Sequence, residues 1–125
     1  MYKYIVFALL ILISCSSLKT IKKGKQNGTM KEYSLTYDKA WKLSKSILQD
    51  YSSDKHGRTS IVYDKENNYM ATPVFNGFIG VWIDKINEEK VIITAYSRRE
   101  LVTYITMGLS ESKFHELLQE KIRNE

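Results

Sequence analysis

Hydrophobic positions fall into three regimes along this chain. Ile5 to Ile13 is an unbroken apolar stretch. From Ser16 to about Ser34 apolar residues are sparse and show no period, which reads as a flexible tether. Beyond it, Ala40, Trp41, Ser44, Ile47, Leu48 and Tyr51 recur at spacings of three and four, while Lys39, Lys42, Lys45 and Asp50 fall off that stripe. This spacing predicts a helix over 37–51. Thr36 is its expected N-cap, and Asp38 would meet the positive end of the helix dipole.

The period then changes. Thr59 to Asp64 reads as a strand, Lys65 to Asn68 as a turn, and Tyr69 to Val74 as the partner strand, with Pro73 pushing it toward an edge or an end. Asn76-Gly77 marks a reversal. Phe78 to Ile86, a loop at Asn87 to Lys90, and Val91 to Ser97 form a second hairpin. Glu100 to Thr106 alternates and would add a short strand or run back across the sheet. Ser110 is then a second N-cap, with Leu109 and Phe114 placed as a hydrophobic staple. A helix from Glu111 to Arg123 would bury Phe114, Leu117, Leu118 and Ile122. The expected fold is α+β: an N-terminal helix, an antiparallel sheet of about four strands and a C-terminal helix, with both helices on one face.

The first stretch has the parts of an export signal: Lys3 in a short polar start, the apolar run, and small residues at its end. Nine apolar residues are too few to span a bilayer core, which takes roughly 20 in helix. Leu12-Ile13-Ser14-Cys15 closes the run with the only cysteine of the chain. These four residues resemble the lipobox of bacterial lipoproteins, a resemblance covering about the first 17 residues. It implies cleavage before Cys15, a diacylglyceryl thioether on its sulfur with palmitate-type acyl chains, and acylation of the new amino terminus. Two or more chains give stable anchoring where one gives marginal binding. Ser16, where an Asp would favour inner-membrane retention in that family, implies an outer-membrane address in a cell with two membranes. The competing reading is an uncleaved anchor or an ordinary signal with Cys15 incidental. The expected organisation is a signal at 1–14, a lipidated and basic tether at 15–34, and one α+β domain at 35–125.

Charge follows the same division. Of the formal +5, all lies before Leu35, in six lysines against Glu32; from Leu35 to Glu125 basic and acidic residues are equal in number. A folded domain without a basic excess is not expected to bind nucleic acid. Lysines near a lipid anchor suit anionic headgroups, though a merely soluble linker has the same composition.

Catalytic and metal-binding patterns are not found. His56 and His115 lack metal-ligand spacing, and His115 reads as surface beside Glu116. No serine sits in a nucleophile elbow. No cofactor, metal or enzymatic activity is expected. One constellation stands out. Alternation places Phe78, Gly80, Trp82 and Asp84 on one side of their strand and Ile79, Val81 and Ile83 on the other. If the helices cover the aliphatic side, Phe78, Trp82, Thr94 and Tyr96 lie on an uncovered face, a candidate partner surface. Alternatively Trp82 is core, or the tether covers it.

The pattern Ser-Leu-Thr-Tyr-Asp-Lys-Ala-Trp opening a helix, the turn Asp-Lys-Glu-Asn-Asn-Tyr-Met-Ala-Thr, a long hairpin and a final helix resembles small α+β domains of uncharacterised envelope lipoproteins. It is also similar to the helix-grip domains of a lipoprotein component of the outer-membrane barrel-assembly machinery. This implies architecture alone. The functional expectation is a lipid-anchored envelope component that binds a protein partner. The alternative is a binder of a lipid or other hydrophobic ligand between helix and sheet, in a cavity lined by Trp41, Trp82 and Tyr96.

Overall fold

The computed structural model describes residues 24–53, 61–99 and 106–125. After a 3-10 turn at Lys25–Asn27 come strand β1 (Thr29–Tyr33), helix α1 (Tyr37–Tyr51), strands β2 (Val62–Asp64), β3 (Tyr69–Val74), β4 (Gly77–Asn87) and β5 (Lys90–Arg99), and helix α2 (Glu111–Arg123). The strands form one antiparallel sheet in the order β1-β5-β4-β3-β2. β2 to β5 is a meander. β1 docks on the free side of β5, so α1 must cross from one edge of the sheet to the other.

The fold is the α+β arrangement expected, with five strands where the periodicity predicts about four. The added strand is β1, in the part of the chain assigned to the tether. Thr-Met-Lys-Glu-Tyr carries no apolar alternation because, as an edge strand, it buries only Tyr33 fully. Residues 24–33 are therefore part of the folded domain; residues 15–23 of the proposed tether lie outside the described residues.

Local chemistry explains the boundaries. Thr36 accepts from the Lys39 amide at 3.3 Å, and Ser110 from the Lys113 amide at 3.2 Å, so both helices start at their expected caps. Leu109 and Phe114 flank the second cap and are both fully buried. In α1 the buried stripe is Ala40, Leu43, Ser44, Ile47 and Leu48. Leu43 replaces Trp41 and Tyr51, which stay half-buried at the margin of the core. Asp64 accepts from the Asn67 amide and side chain, closing the turn before β3, and Asn68 completes it with φ of 57°. Asparagine tolerates this left-handed conformation, as it does at Asn76 between β3 and β4.

Pro73 lies inside β3, between two other strands. It is tolerated there because β2 pairs only with residues 69–71. Opposite Pro73 the sheet has a local edge, closed by the end of α1: Ser53 donates its amide to the Pro73 carbonyl at 3.0 Å, and Ser52 bridges to Val74. The β4–β5 loop is shorter than expected, two residues at Glu88-Glu89, with an irregular register between Lys85 and Asn87. Residues 100–105, the site of the possible further strand, lie outside the described residues.

Both helices pack on one side of the sheet. Ile79, Val81, Ile83, Val91, Ile93 and Ala95 meet Leu43, Ile47, Leu48, Phe114 and Leu118 in the main core. Each fully buried aliphatic side chain there contributes about 1.5–3 kcal/mol of transfer free energy.

Candidate functional site

The opposite sheet face carries Phe78, Trp82, Thr94 and Tyr96, as alternation requires. It is not an open aromatic patch: Trp82 is 4% and Thr94 1% exposed, while Phe78 and Tyr96 are half-buried. Trp82 belongs to a second, smaller cluster with Tyr69 and Ala71, against which Phe78 and Tyr96 pack. Register places Tyr69, Trp82, Thr94 and Met30 in one row across four strands, and Ala71, Gly80 and Tyr96 in the next. The small residues of the second row leave room for the rings of the first. Tyr69 and Trp82 rings sit 4.8 Å apart, tilted by 34°.

Part of the cover comes from the segment preceding β1. Gly24 rests so closely on the Tyr96 ring that a Cβ there would overlap it. A Cβ on Gly28 would lie 2.7 Å from the Ala95 carbonyl oxygen and 2.8 Å from Thr94 Cγ2. Lys25 pairs with Asp84 at 2.7 Å across the same face. The backbone of 24–28 is thus a strap laid on β5 and β4. Among the described residues this face also carries a depression of about 480 Å³ lined by Lys25, Gln26, Met30, Asp84, Ile92 and Thr94, at whose rim Met30 is 63% exposed.

The buried Tyr69 hydroxyl has no hydrogen-bond partner among the described residues. Burial, with help from the Asp64 carboxylate, raises the pKa of this phenol far above its ordinary value. Trp41 lies on the helix side of the sheet, against the main core and the Tyr63 ring, whereas Trp82 lies on the other. No single cavity can be lined by both, so the expected Trp41–Trp82–Tyr96 cavity is not formed.

The densest polar cluster was not anticipated. His115, read as surface, is fully buried where α2 meets β1. Its Nε2 is 2.8 Å from the Thr29 carbonyl oxygen and its Nδ1 2.6 Å from the Tyr33 hydroxyl. A carbonyl only accepts, so Nε2 carries the proton and Nδ1 of the neutral ring accepts from Tyr33. One turn earlier, Glu111 takes a hydrogen bond from the Thr29 hydroxyl at 2.6 Å and from the Ser97 amide at 2.9 Å. Burial holds the imidazole below its ordinary pKa, opposed by the Thr29 carbonyl; Lys31 lowers it further and Glu111 raises it. The Tyr33 phenol is pushed up to about 12 by burial, with Gln119 pulling the other way. These groups are occupied in fastening the edge strand to the helix. The signal for a buried His115 was its spacing, four after Glu111, three before Leu118 and seven before Ile122, which puts it on the inward stripe.

Cys15 lies outside the described residues. Among those described, no helix is long and apolar enough to cross a membrane, and no cluster of three or more His, Cys, Asp or Glu side chains could hold a metal. Compared with protein-family models, curated proteins and solved structures, the chain has no match.

Proposed function

We propose that this protein is a lipid-anchored component of a bacterial envelope, held by acyl chains on Cys15, whose domain serves as a non-enzymatic accessory that binds another protein. The Leu12-Ile13-Ser14-Cys15 motif carries this reading. It gains support from the position of the first strap residue, Gly24, nine positions after Cys15. At about 3.3–3.6 Å per extended residue the anchor and the domain are never more than roughly 30 Å apart. The domain works close to the bilayer, not on a long leash.

The accessory role is supported by the state of the polar groups. Both nitrogens of His115 and one oxygen of Glu111 are engaged in holding β1, and the other Glu111 oxygen accepts from Ser97 of β5, an arrangement that serves structure. With Trp82 and Thr94 enclosed, the surface offered to a partner is the depression edged by Met30 and Ile92, not the aromatic quartet itself.

The anchoring is tested in a bacterial host by fractionating the chain beside its Cys15→Ser variant and weighing both. The expected wild-type product begins at Cys15, carries the mass of three acyl chains and stays with membranes, whereas the variant keeps its signal. A wild-type protein of unprocessed mass removes the reading.

A further inference from the structure

The flank of α1 beside its buried stripe carries an aromatic ladder at the margin of the main core. Tyr37 stacks on Trp41 with centroids 6.2 Å apart, and Trp41 meets Tyr63 of β2 at 6.5 Å. The Lys65 ammonium sits over the Trp41 ring at 5.6 Å and the Lys45 ammonium over Tyr63 at 5.1 Å. Tyr63 is 38% exposed, and Trp41 and Tyr37 are half-buried. Three amphipathic rings with lysine stems folded over them thus form a continuous outward surface. A core has no use for lysines there, and a purely solvated face has no use for the rings.

Lys25 is bound to Asp84 at 2.7 Å. That carboxylate lies close enough to Tyr37 to help raise its phenol above the ordinary pKa, after burial and Asp38. Asp84 thus lies between Lys25 of the strap and the Tyr37 end of the ladder.

Tryptophan and tyrosine concentrate at the headgroup level of bilayers, where an apolar ring with a polar tip is satisfied on both sides. Lysine stems lie along such rings while their ammonium groups reach outward to phosphates. We propose that the Tyr37–Trp41–Tyr63 ladder with Lys45 and Lys65 is the membrane-contact face of this domain, laid on the phospholipid headgroups of the bilayer that holds its anchor. The inference rests on the anchored reading above and adds an orientation to it. The ladder lies against lipid, while the depression edged by Met30, on the other sheet face, is left free for a partner.

Trp41 and Trp82, the two tryptophans of the chain, sit on opposite sheet faces and supply the test. The full chain is reconstituted into vesicles of phosphatidylethanolamine and phosphatidylglycerol with bromines on the upper acyl positions, and only vesicle-bound protein is read. The emission difference between wild type and Trp41→Phe isolates Trp41; Trp41→Phe itself reports Trp82. The expected result is loss of most Trp41 emission in brominated relative to plain vesicles, with Trp82 emission nearly unchanged. The double variant Tyr63→Glu/Lys65→Glu, altering exposed side chains only, should restore Trp41 emission. Equal quenching of the two tryptophans, or Trp41 quenching indifferent to the double variant, overturns the proposal. So does an unquenched Trp41, the result expected of a ladder that docks on protein. The mass of the Cys15 peptide, measured on the same sample, reports the anchor separately. A chain bound through its apolar run alone would fail there and still answer the quenching question.

Discussion

The two faces of the sheet are both apolar, yet they are sealed in different ways. On one, α1 and α2 bring their own side chains, and Phe114, Leu118, Ile47 and Leu48 interdigitate with Ile79, Val81 and Ile83 in a continuous core. On the other, Trp82 is enclosed within a cluster of three buried residues, beside which a bare strap with glycine at each end lies on β5. A helix covers a sheet with volume, whereas a strap covers it with main chain. The second seal is consequently thin, and it depends on close approach at particular glycines more than on the area of its side chains.

Truncation should expose this asymmetry. Phe114→Ala, in the helix-covered core, should cost about 3–5 kcal/mol in urea unfolding. Trp82→Ala removes more atoms but from the thinner layer, where neighbours can settle inward, and should fall at or below the low end of that range, about 3 kcal/mol. If Trp82→Ala proves the more damaging of the two, the ranking of the faces is wrong.

The strap and the latch come next. Gly28→Ala should cost about 1–3 kcal/mol, because its Cβ meets the Ala95 carbonyl, a main-chain atom that cannot swing aside. Gly24→Ala meets the Tyr96 ring instead and should cost less; equal costs would indicate that the strap is not pinned at residue 28. His115→Gln should cost about 1–3 kcal/mol by leaving Tyr33 or Thr29 short of a partner.

The latch also has a pH signature. The buried imidazole binds a proton more weakly than in the unfolded chain, whose value is near 6.5. The unfolded state therefore takes up the proton first as pH falls through that value. This contribution is complete above it and lost progressively below. Unfolding midpoints of wild type should decline more steeply between neutral and mildly acidic pH than those of His115→Gln, and parallel slopes would remove His115 as the cause. The smallest effect is expected from Lys25→Met. Its pairing with Asp84 is at a site more than a third exposed, and surface pairs contribute about 0–1 kcal/mol.

Several of these features were legible in the residues themselves. The bounds of α1 and the starts of both helices follow from Thr36 and Ser110, whose hydroxyls cap amides three residues on. β3 follows from turn chemistry at Asn68 and Asn76. β1 was not legible: an edge strand needs no apolar alternation, and Thr29–Tyr33 is held by β5 backbone and by side chains of α2, far along the chain. The aromatic quartet was placed on the right side of its strands and given the wrong exposure. Alternation decides which residues share a face, and nothing within a strand encodes what the neighbouring chain lays over it.

The sequence by itself determined the Leu12-Ile13-Ser14-Cys15 pattern on which the proposed anchor rests, the α+β order of elements, the caps and turns, and the division of β4 and β5 into an aliphatic and an aromatic side, because each depends on residues within a few positions of one another. Only the tertiary structure decided that the strap and β1 belong to the domain, that Trp82 is enclosed, that Trp41 and Trp82 stand on opposite faces, and that His115 is a buried fastener. Each of those rests on contacts between segments widely separated in sequence, where packing geometry, not local preference, selects the partner.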